Sequence, residues 1–257
     1  MQGINVTREY TTMRRFLIIS LALNGYQFTY RNNLKTHKVY AKKLGADYLL
    51  VSKPWVSKLG VECCWLKLHL AKRALELGFD NVLLLDADAW VNIHCPDIRQ
   101  ELRPNKHMYM AKGYSERFNS GVMLLNNHRS CIDLINQIID NRLISVPEED
   151  SVGWGENGHV IYFSKSSRIV QEISECWNNT YRNDDMDYIR HQNHGPLRTG
   201  FSKRMLHKLL AMTSRGYIKL YALFDKNEQH HIPKSWFDDE VQHIVSRYAI
   251  LRTQVNN

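Results

Sequence analysis

The residues best placed to do chemistry are Asp86 and Asp88, at the end of the apolar run Val82-Leu83-Leu84-Leu85. Such a run is the pattern of a strand buried on both faces. Side chains alternate across a strand, so residues i and i+2 point the same way. If the extended conformation persists past Asp86, both carboxylates aim at one spot. Two carboxylates side by side repel unless a cation joins them. Hard oxygen ligands at this spacing suit Mg²⁺ or Mn²⁺. In open α/β sheets, ligands sit beyond the carboxyl ends of strands, where this pair falls. The pair therefore reads as a metal site for a phosphate-bearing substrate. The alternative is an acidic turn after a core strand.

Three further clusters bear on that choice. In Phe118-Asn119-Ser120-Gly121-Val122-Met123-Leu124-Leu125-Asn126, small polar residues feed a buried strand. Gly121 lets a backbone approach a ligand closely. Asn119 and Ser120 can hydrogen-bond sugar hydroxyls or phosphate oxygens. In Glu148-Glu149-Asp150, a carboxylate could orient an accepting hydroxyl or take its proton; equally, acids favour helix N-termini. In the segment from Tyr188 to Arg198, one imidazole of His191 or His194 could complete the shell of a metal held by Asp88. Arg190, Arg198 or Lys203 could neutralise phosphates. Lys67 could reach a diphosphate or form a solvated face. Leu21 to Tyr26 follows the first strand, where a nucleotide base would sit.

The elements that must position these residues follow from periodicity. Arg15–Ser20 is strand-like, Asn24-Gly25 a turn, and 33–44 a helix closed by Gly45. A second strand covers 47–51, a helix 62–77 closed by Gly78, and then comes the acidic strand. This β-α-β-α-β order argues a parallel sheet. Further strands are expected at 109–111, 122–125 and 159–163, with a helix over 129–141. The polar stretch 177–199 reads as a loop over the site, and two or three amphipathic helices follow residue 201. One domain spans 1–257, with its core over about 14–200 and a helical extension over 201–257.

Bulk properties narrow the partners. The chain carries a net charge of +8, which permits anionic partners, but the basic residues are scattered and form no nucleic-acid motif. No nucleic acid is expected. Five cysteines form no zinc spacing, so they read as reduced thiols. Met13 to Leu23 has the cast of a signal peptide, but its apolar run is too short to span a membrane and fits a first buried strand. No transmembrane segment and a cytoplasmic location are the expectation.

Taken together, the series resembles a glycosyltransferase of the GT-A fold. It comprises a Trp65-x-Lys67 helix, then the strand ending Asp86-x-Asp88, then Phe118-Asn119-Ser120-Gly121-Val122. An acidic loop and a histidine-glycine segment follow. The order is similar to the retaining families of the glycogenin and galactosyltransferase type and to galactomannan and xyloglucan transferases. His37, Tyr40 and Ala41 before Gly45-Ala46-Asp47 resemble the early helix of the latter. Similar stand-alone domains occur in large algal viruses. The resemblance implies an α/β fold with a mostly parallel, Rossmann-like sheet. It implies transfer of a sugar, with retention, from a nucleotide-diphosphate sugar (UDP-sugar favoured) to a glycan or protein-linked acceptor.

The resemblance also implies Mn²⁺ or Mg²⁺ on Asp86, Asp88 and His191. Donor contacts fall on Leu21, Ala22, Lys67, Asp86, Ala87, Ser120, Gly121 and Arg198. Glu149, Asp150 and Asn119 form the catalytic side. Two other classes compete. A haloacid-dehalogenase-like phosphatase would use Asp86 as nucleophile, with Asp184-Asp185 as the late acidic pair. A non-catalytic sugar-nucleotide or glycan-binding module would keep the grip without turnover.

Overall fold

The computed structural model describes residues 15–152, 155–182, 186–192 and 234–252, with 197, 205, 209 and 212 besides. Its centre is a six-stranded sheet in the order β2-β1-β3-β6-β5-β7. The strands are β1 (Phe16–Leu21), β2 (Asp47–Val51), β3 (Asn81–Asp86), β5 (Met108–Lys112), β6 (Phe118–Asn126) and β7 (Val170–Glu172). β1 pairs in parallel with both β2 and β3, and β5 pairs in parallel with β7. β6 runs antiparallel to β3 and β5, so it alone in this sheet is reversed. A small antiparallel ribbon of β4 (Ala89–Val91) and β8 (Ile189–His191) stands apart.

Alternation along the strands builds two cores. Leu17, Ile19, Val82 and Leu84 face a layer made by α3 (Leu66–Glu76), α4 (Arg129–Asp140) and α6 (Lys234–Ser246). Phe16, Ile18, Leu83 and Leu85 face the other layer, with Tyr40 and Ala41 of α2 (Arg31–Leu44), Ile98, Trp177 and Ile189. Each large apolar side chain so buried contributes about 1.5–3 kcal/mol. Both faces are covered, as the unbroken apolar run before Asp86 requires. α2 ends where Gly45 adopts φ 62 and donates its N–H to the last turn. Before it lies a single helical turn, α1 (Tyr26–Thr29), entered through positive φ at Asn24 and Gly25.

Several expectations are corrected. The strand expected at 159–163 is part of the helix α5 (Asn157–Ser164), packed on β6 and α4. A five-residue apolar run has no decisive period, and its packing partners outweigh its β-branched residues. The helix expected from Glu62 opens instead as a 3₁₀ turn over Gly60–Trp65. The polar stretch from Trp177 contributes to the core after all, because Trp177 and Ile189 are fully buried. Asp187 anchors that stretch, accepting from Asn92, Asn179 and Arg190 at 2.7 Å each. The segment between residues 201 and 233 lies outside the described residues, save 205, 209 and 212, and α6 is the described part of the helical extension. All five cysteines are free thiols. Among the described residues, no helix is long and apolar enough to cross a membrane.

Candidate active site

β3 stops at Asp86, and Ala87-Asp88 form a turn before β4. The extended conformation does not persist, so the turn rather than strand alternation brings the two carboxylates together. Helix α2 holds that turn through its backbone. Asn33 Nδ2 donates to the Asp88 carbonyl at 3.0 Å, and Val91 N donates to Thr36 Oγ1 at 3.0 Å. His37 Nε2 donates to the Ala89 carbonyl at 2.8 Å, while Ser20 Oγ donates to its Nδ1 at 2.8 Å. Full burial lowers the His37 pKa to about 4, which keeps this imidazole neutral.

The ribbon then supplies the third group. Ala89 pairs with His191, which sets that imidazole against Asp88 across 103 residues of sequence. Its Nε2 lies 3.1 Å from Asp88 Oδ1 and 4.0 Å from Asp86 Oδ2. One ligand atom from each of Asp86, Asp88 and His191 falls within 4.8 Å of the others. On its far side, His191 Nδ1 meets Asn178 Oδ1 at 3.0 Å. Asn178 Nδ2 donates to the carbonyl and Oδ1 of Asn119, which fixes the amide orientation. Nδ1 therefore carries a proton and Nε2 faces the carboxylates. Two carboxylates and an imidazole oriented by an outer hydrogen bond form a donor set that could hold a divalent cation.

Gly121 has a sharper reason than the expected approach to a ligand. A Cβ there would lie 2.1 Å from His191 Cε1 and 2.6 Å from Nδ1. The absent side chain is the space the imidazole occupies. Asn119, assigned to the catalytic side, turns its Oδ1 to Gly121 N and Asn178.

A second network lies under Asp86. Lys67, 4% exposed, donates to Asp86 Oδ1 at 3.0 Å, to the Ser120 carbonyl at 3.0 Å and to Ser120 Oγ at 3.2 Å. Its Nζ also lies 2.6 Å from Glu156 Oε1, which accepts from Ser120 Oγ at 2.7 Å. Asn157 Oδ1 accepts from Ser120 N. Burial opposes the Lys67 charge, but Asp86 and Glu156 outweigh it and raise its pKa. Burial likewise opposes the Glu156 charge, and Lys67 outweighs it, so Glu156 stays ionised. Burial raises the Asp86 pKa despite Lys67 and His191. Asp88 goes the other way, because His191 outweighs its burial. His191 is raised in turn, the Asp88 charge prevailing over desolvation.

The remaining candidates divide. Leu21 pairs with Asp86, and buried Ala22 and Ala87 share a small cluster, so all three lie at the carboxyl ends of β1 and β3. Lys67 and Ser120, expected as donor contacts, lie buried beneath the acid pair. Asp150 is 3% exposed and ion-paired with Lys165, while Glu149 is exposed. Of the acidic loop, it is Glu156-Asn157 that meets Ser120. That carboxylate–amide pair stands directly before the apolar run of α5, and its position there was its signal in the sequence. Asn178 and Asn33 carried none. Arg198, His194, Lys203 and Asp184-Asp185 lie outside the described residues.

No family model matches the chain, and no curated protein does. Solved structures do. A glycosyltransferase involved in the glycosylation of the major capsid of PBCV-1 superposes with a TM-score of 0.55, covering 75% of this chain and 99% of its own at 13% identity. This is the GT-A glycosyltransferase fold. GlyE of Streptococcus pneumoniae TIGR4 gives 0.49 at 15% identity, covering 82% of this chain and 64% of its own. Mouse xyloside xylosyltransferase 1 gives 0.42 at 12%, covering 70% and 97%. The fold rests on the first of these. In it, Asp86 and Asp88 stand at the carboxyl end of the strand that borders the reversed β6.

Proposed function

We propose that the protein is a metal-dependent glycosyltransferase. It takes a sugar from a nucleotide-diphosphate donor, UDP-sugar favoured, and passes it with retention to a glycan or protein-linked acceptor. The observation that carries this reading is the Asp86–Asp88–His191 group at the end of β3 within a GT-A fold. Breaking the donor's sugar–phosphate bond builds negative charge on the departing diphosphate. A cation, Mn²⁺ or Mg²⁺, held there would neutralise that charge. Asp88 and His191 act as direct ligands. Asp86 reaches the same point with one oxygen while Lys67 holds the other. Leu21 lies on the donor's path over the strand ends, with buried Ala22 and Ala87 as the floor beneath it and Arg198 as a further phosphate contact. Glu149, exposed at the acidic loop, remains the acceptor-side candidate.

The test is binding and turnover of a nucleotide-sugar panel with and without Mn²⁺. UDP-sugar binding should require the metal, and Asp88→Ala should weaken metal binding by about 100-fold or more. Phosphatase activity through an aspartyl-phosphate on Asp86 would overturn the reading. Metal-dependent binding without turnover on any acceptor would leave a binding module instead.

A further inference from the structure

The C-terminal helix reaches the donor side of the site by way of one hydroxyl. α6 and the turn after it are anchored on α3, where Phe237 packs on the His69 ring and Arg73 Nε donates to the Leu251 carbonyl. From this anchored position, Tyr248 Oη accepts from Ser52 N at 2.9 Å and Lys53 N at 3.0 Å, and donates to the Lys53 carbonyl at 3.2 Å. Three backbone groups just past the end of β2 thus close on one phenol. Further along, Lys58 N donates to Glu240 of α6.

The loop so held, 52–60, is also stitched to the turn after β1. Asn24 N donates to the Trp55 carbonyl at 2.9 Å, Ser57 N donates to Asn24 Oδ1 at 2.8 Å, and Asn24 Nδ2 donates to the Gly60 carbonyl at 3.0 Å. Asn24 lies three residues past Leu21, the partner of Asp86. The loop buries Ser57 and Leu59 but leaves Trp55 63% exposed. Phe28 of α1, 53% exposed, meets the Trp55 ring edge-on at 6.0 Å. Trp55 and Phe28 thus form an exposed aromatic pair beside the turn that follows β1, and an aromatic face offers a nucleobase a surface to stack on.

Resting on the glycosyltransferase reading, we propose that Tyr248 is a positioning residue for the nucleotide-sugar donor. Its hydroxyl fixes the 52–60 loop so that Trp55 stands beside the carboxyl end of β1, and α6 thereby sets donor affinity without touching the donor. The energetic logic is preorganisation: a loop already ordered costs nothing further to order when ligand arrives.

Tyr248→Phe keeps the ring and removes the staple. Amide exchange, melting temperature, UDP-sugar binding in Mn²⁺ and steady-state kinetics should be measured for it and for Ile244→Val, which loosens the α6 core but spares the staple. In Tyr248→Phe, the Ser52 and Lys53 amides should exchange about tenfold faster. The donor Kd and KM should rise roughly fivefold, with kcat changed less than about twofold. Ile244→Val should lower the melting temperature and leave the donor Kd alone. Equal donor binding in Tyr248→Phe and wild type, with faster amide exchange, overturns the proposal alone. So does an equal Kd loss in Ile244→Val, which would make the effect one of general stability. Absence of nucleotide-sugar binding by the wild type overturns the parent reading as well.

Discussion

Asp86 and Asp88 are two residues apart, yet they are held by opposite kinds of chemistry. Asp86 rests on charge. Lys67 sits between it and Glu156, with Ser120 filling the remaining donor sites. Asp88 rests on an imidazole and on neutral hydrogen bonds: His191 backed by Asn178 and Asn119, and α2 gripping the turn through Asn33, Thr36 and His37. The two carboxylates move apart: burial prevails over Lys67 at Asp86 and turns it toward the protonated form, whereas the His191 charge prevails over burial at Asp88 and holds it toward the ionised one. A pair whose members differ in this way divides its labour. Asp88 offers the steadier negative charge to a cation, and Asp86 joins the cation site to the charged core beneath it.

The largest effect should come from breaking the charged arm. Lys67→Met leaves Asp86 and Glu156 facing each other without a counter-charge, and losing one partner of such a buried network costs about 3–5 kcal/mol. Adding Glu156→Gln should recover a good part of that loss, since one buried charge goes with it. Urea unfolding of the wild type, the single variant and the double variant checks this. Equal stability in all three would mean the lysine is not the balance of the arm.

The neutral arm should fail differently, in acid. His37 has a folded pKa near 4 against an ordinary value of 6.5. Between those values the unfolded chain binds a proton that the folded chain refuses. The stability from its neutral burial is therefore fully present above pH 6.5 and is lost as pH falls toward 4. The 2.5-unit gap corresponds to about 3 kcal/mol. Unfolding free energies measured between pH 7 and 4 should fall with a slope that flattens in His37→Gln, whose amide keeps the charge-neutral contact. An unchanged slope in that variant would remove His37 from the account.

The same contrast marks what the sequence could disclose. The charged arm announces itself where it is local: an apolar strand ending in Asp86-x-Asp88 is readable because strand and acids are contiguous. The element order up to β3 and the capping glycines Gly45 and Gly78 are readable for the same reason. Its partners are harder. Lys67 was legible as a nearby cation but not as a buried one, because burial depends on β6 and α5 closing over it. The neutral arm is nearly silent. Asn178 and Asn33 act through amides that look like any loop or helix polar residue, and their partners lie tens of residues away; Asn119 could be singled out, but not as the residue that holds Asn178. His191 could be singled out, but its pairing with Ala89 required the β4–β8 ribbon, two three-residue strands with no pattern of their own. The α5 error has a kindred cause, since a short apolar run takes its form from what it packs against.

Gly121 offers a cut confined to the neutral arm. Alanine there would press on His191 Cε1 from 2.1 Å, which no rotamer of the ring in its present place relieves. Because Gly121 lies inside β6, the backbone cannot yield without disturbing β3, so the imidazole must leave its present place against Asp88. Mn²⁺ affinity should fall by roughly 10–100-fold, with at most about 1–3 kcal/mol lost in stability from overpacking. The circular dichroism of the fold should persist. Unchanged metal affinity in Gly121→Ala would show that His191 is dispensable to the site.

Asn178→Ala asks the finest question, whether orientation alone matters. The ring of His191 keeps its space and its contact with Asp88, and the fold keeps β8 through the backbone bonds of Asn179. What disappears is the carbonyl that receives the Nδ1 proton. Without it, either ring nitrogen can carry the proton, and the tautomer that presents a bare Nε2 to a cation loses its advantage. Removing such an outer partner costs about tenfold in metal affinity. Asn178→Asp separates two explanations for that loss. An aspartate can still accept from Nδ1 but cannot donate to Asn119, so restored Mn²⁺ affinity would assign the effect to the imidazole proton. Affinity that stays low in Asn178→Asp would assign it to the Asn119 turn, and the neutral arm would then be a scaffold for β6 rather than a means of aiming His191.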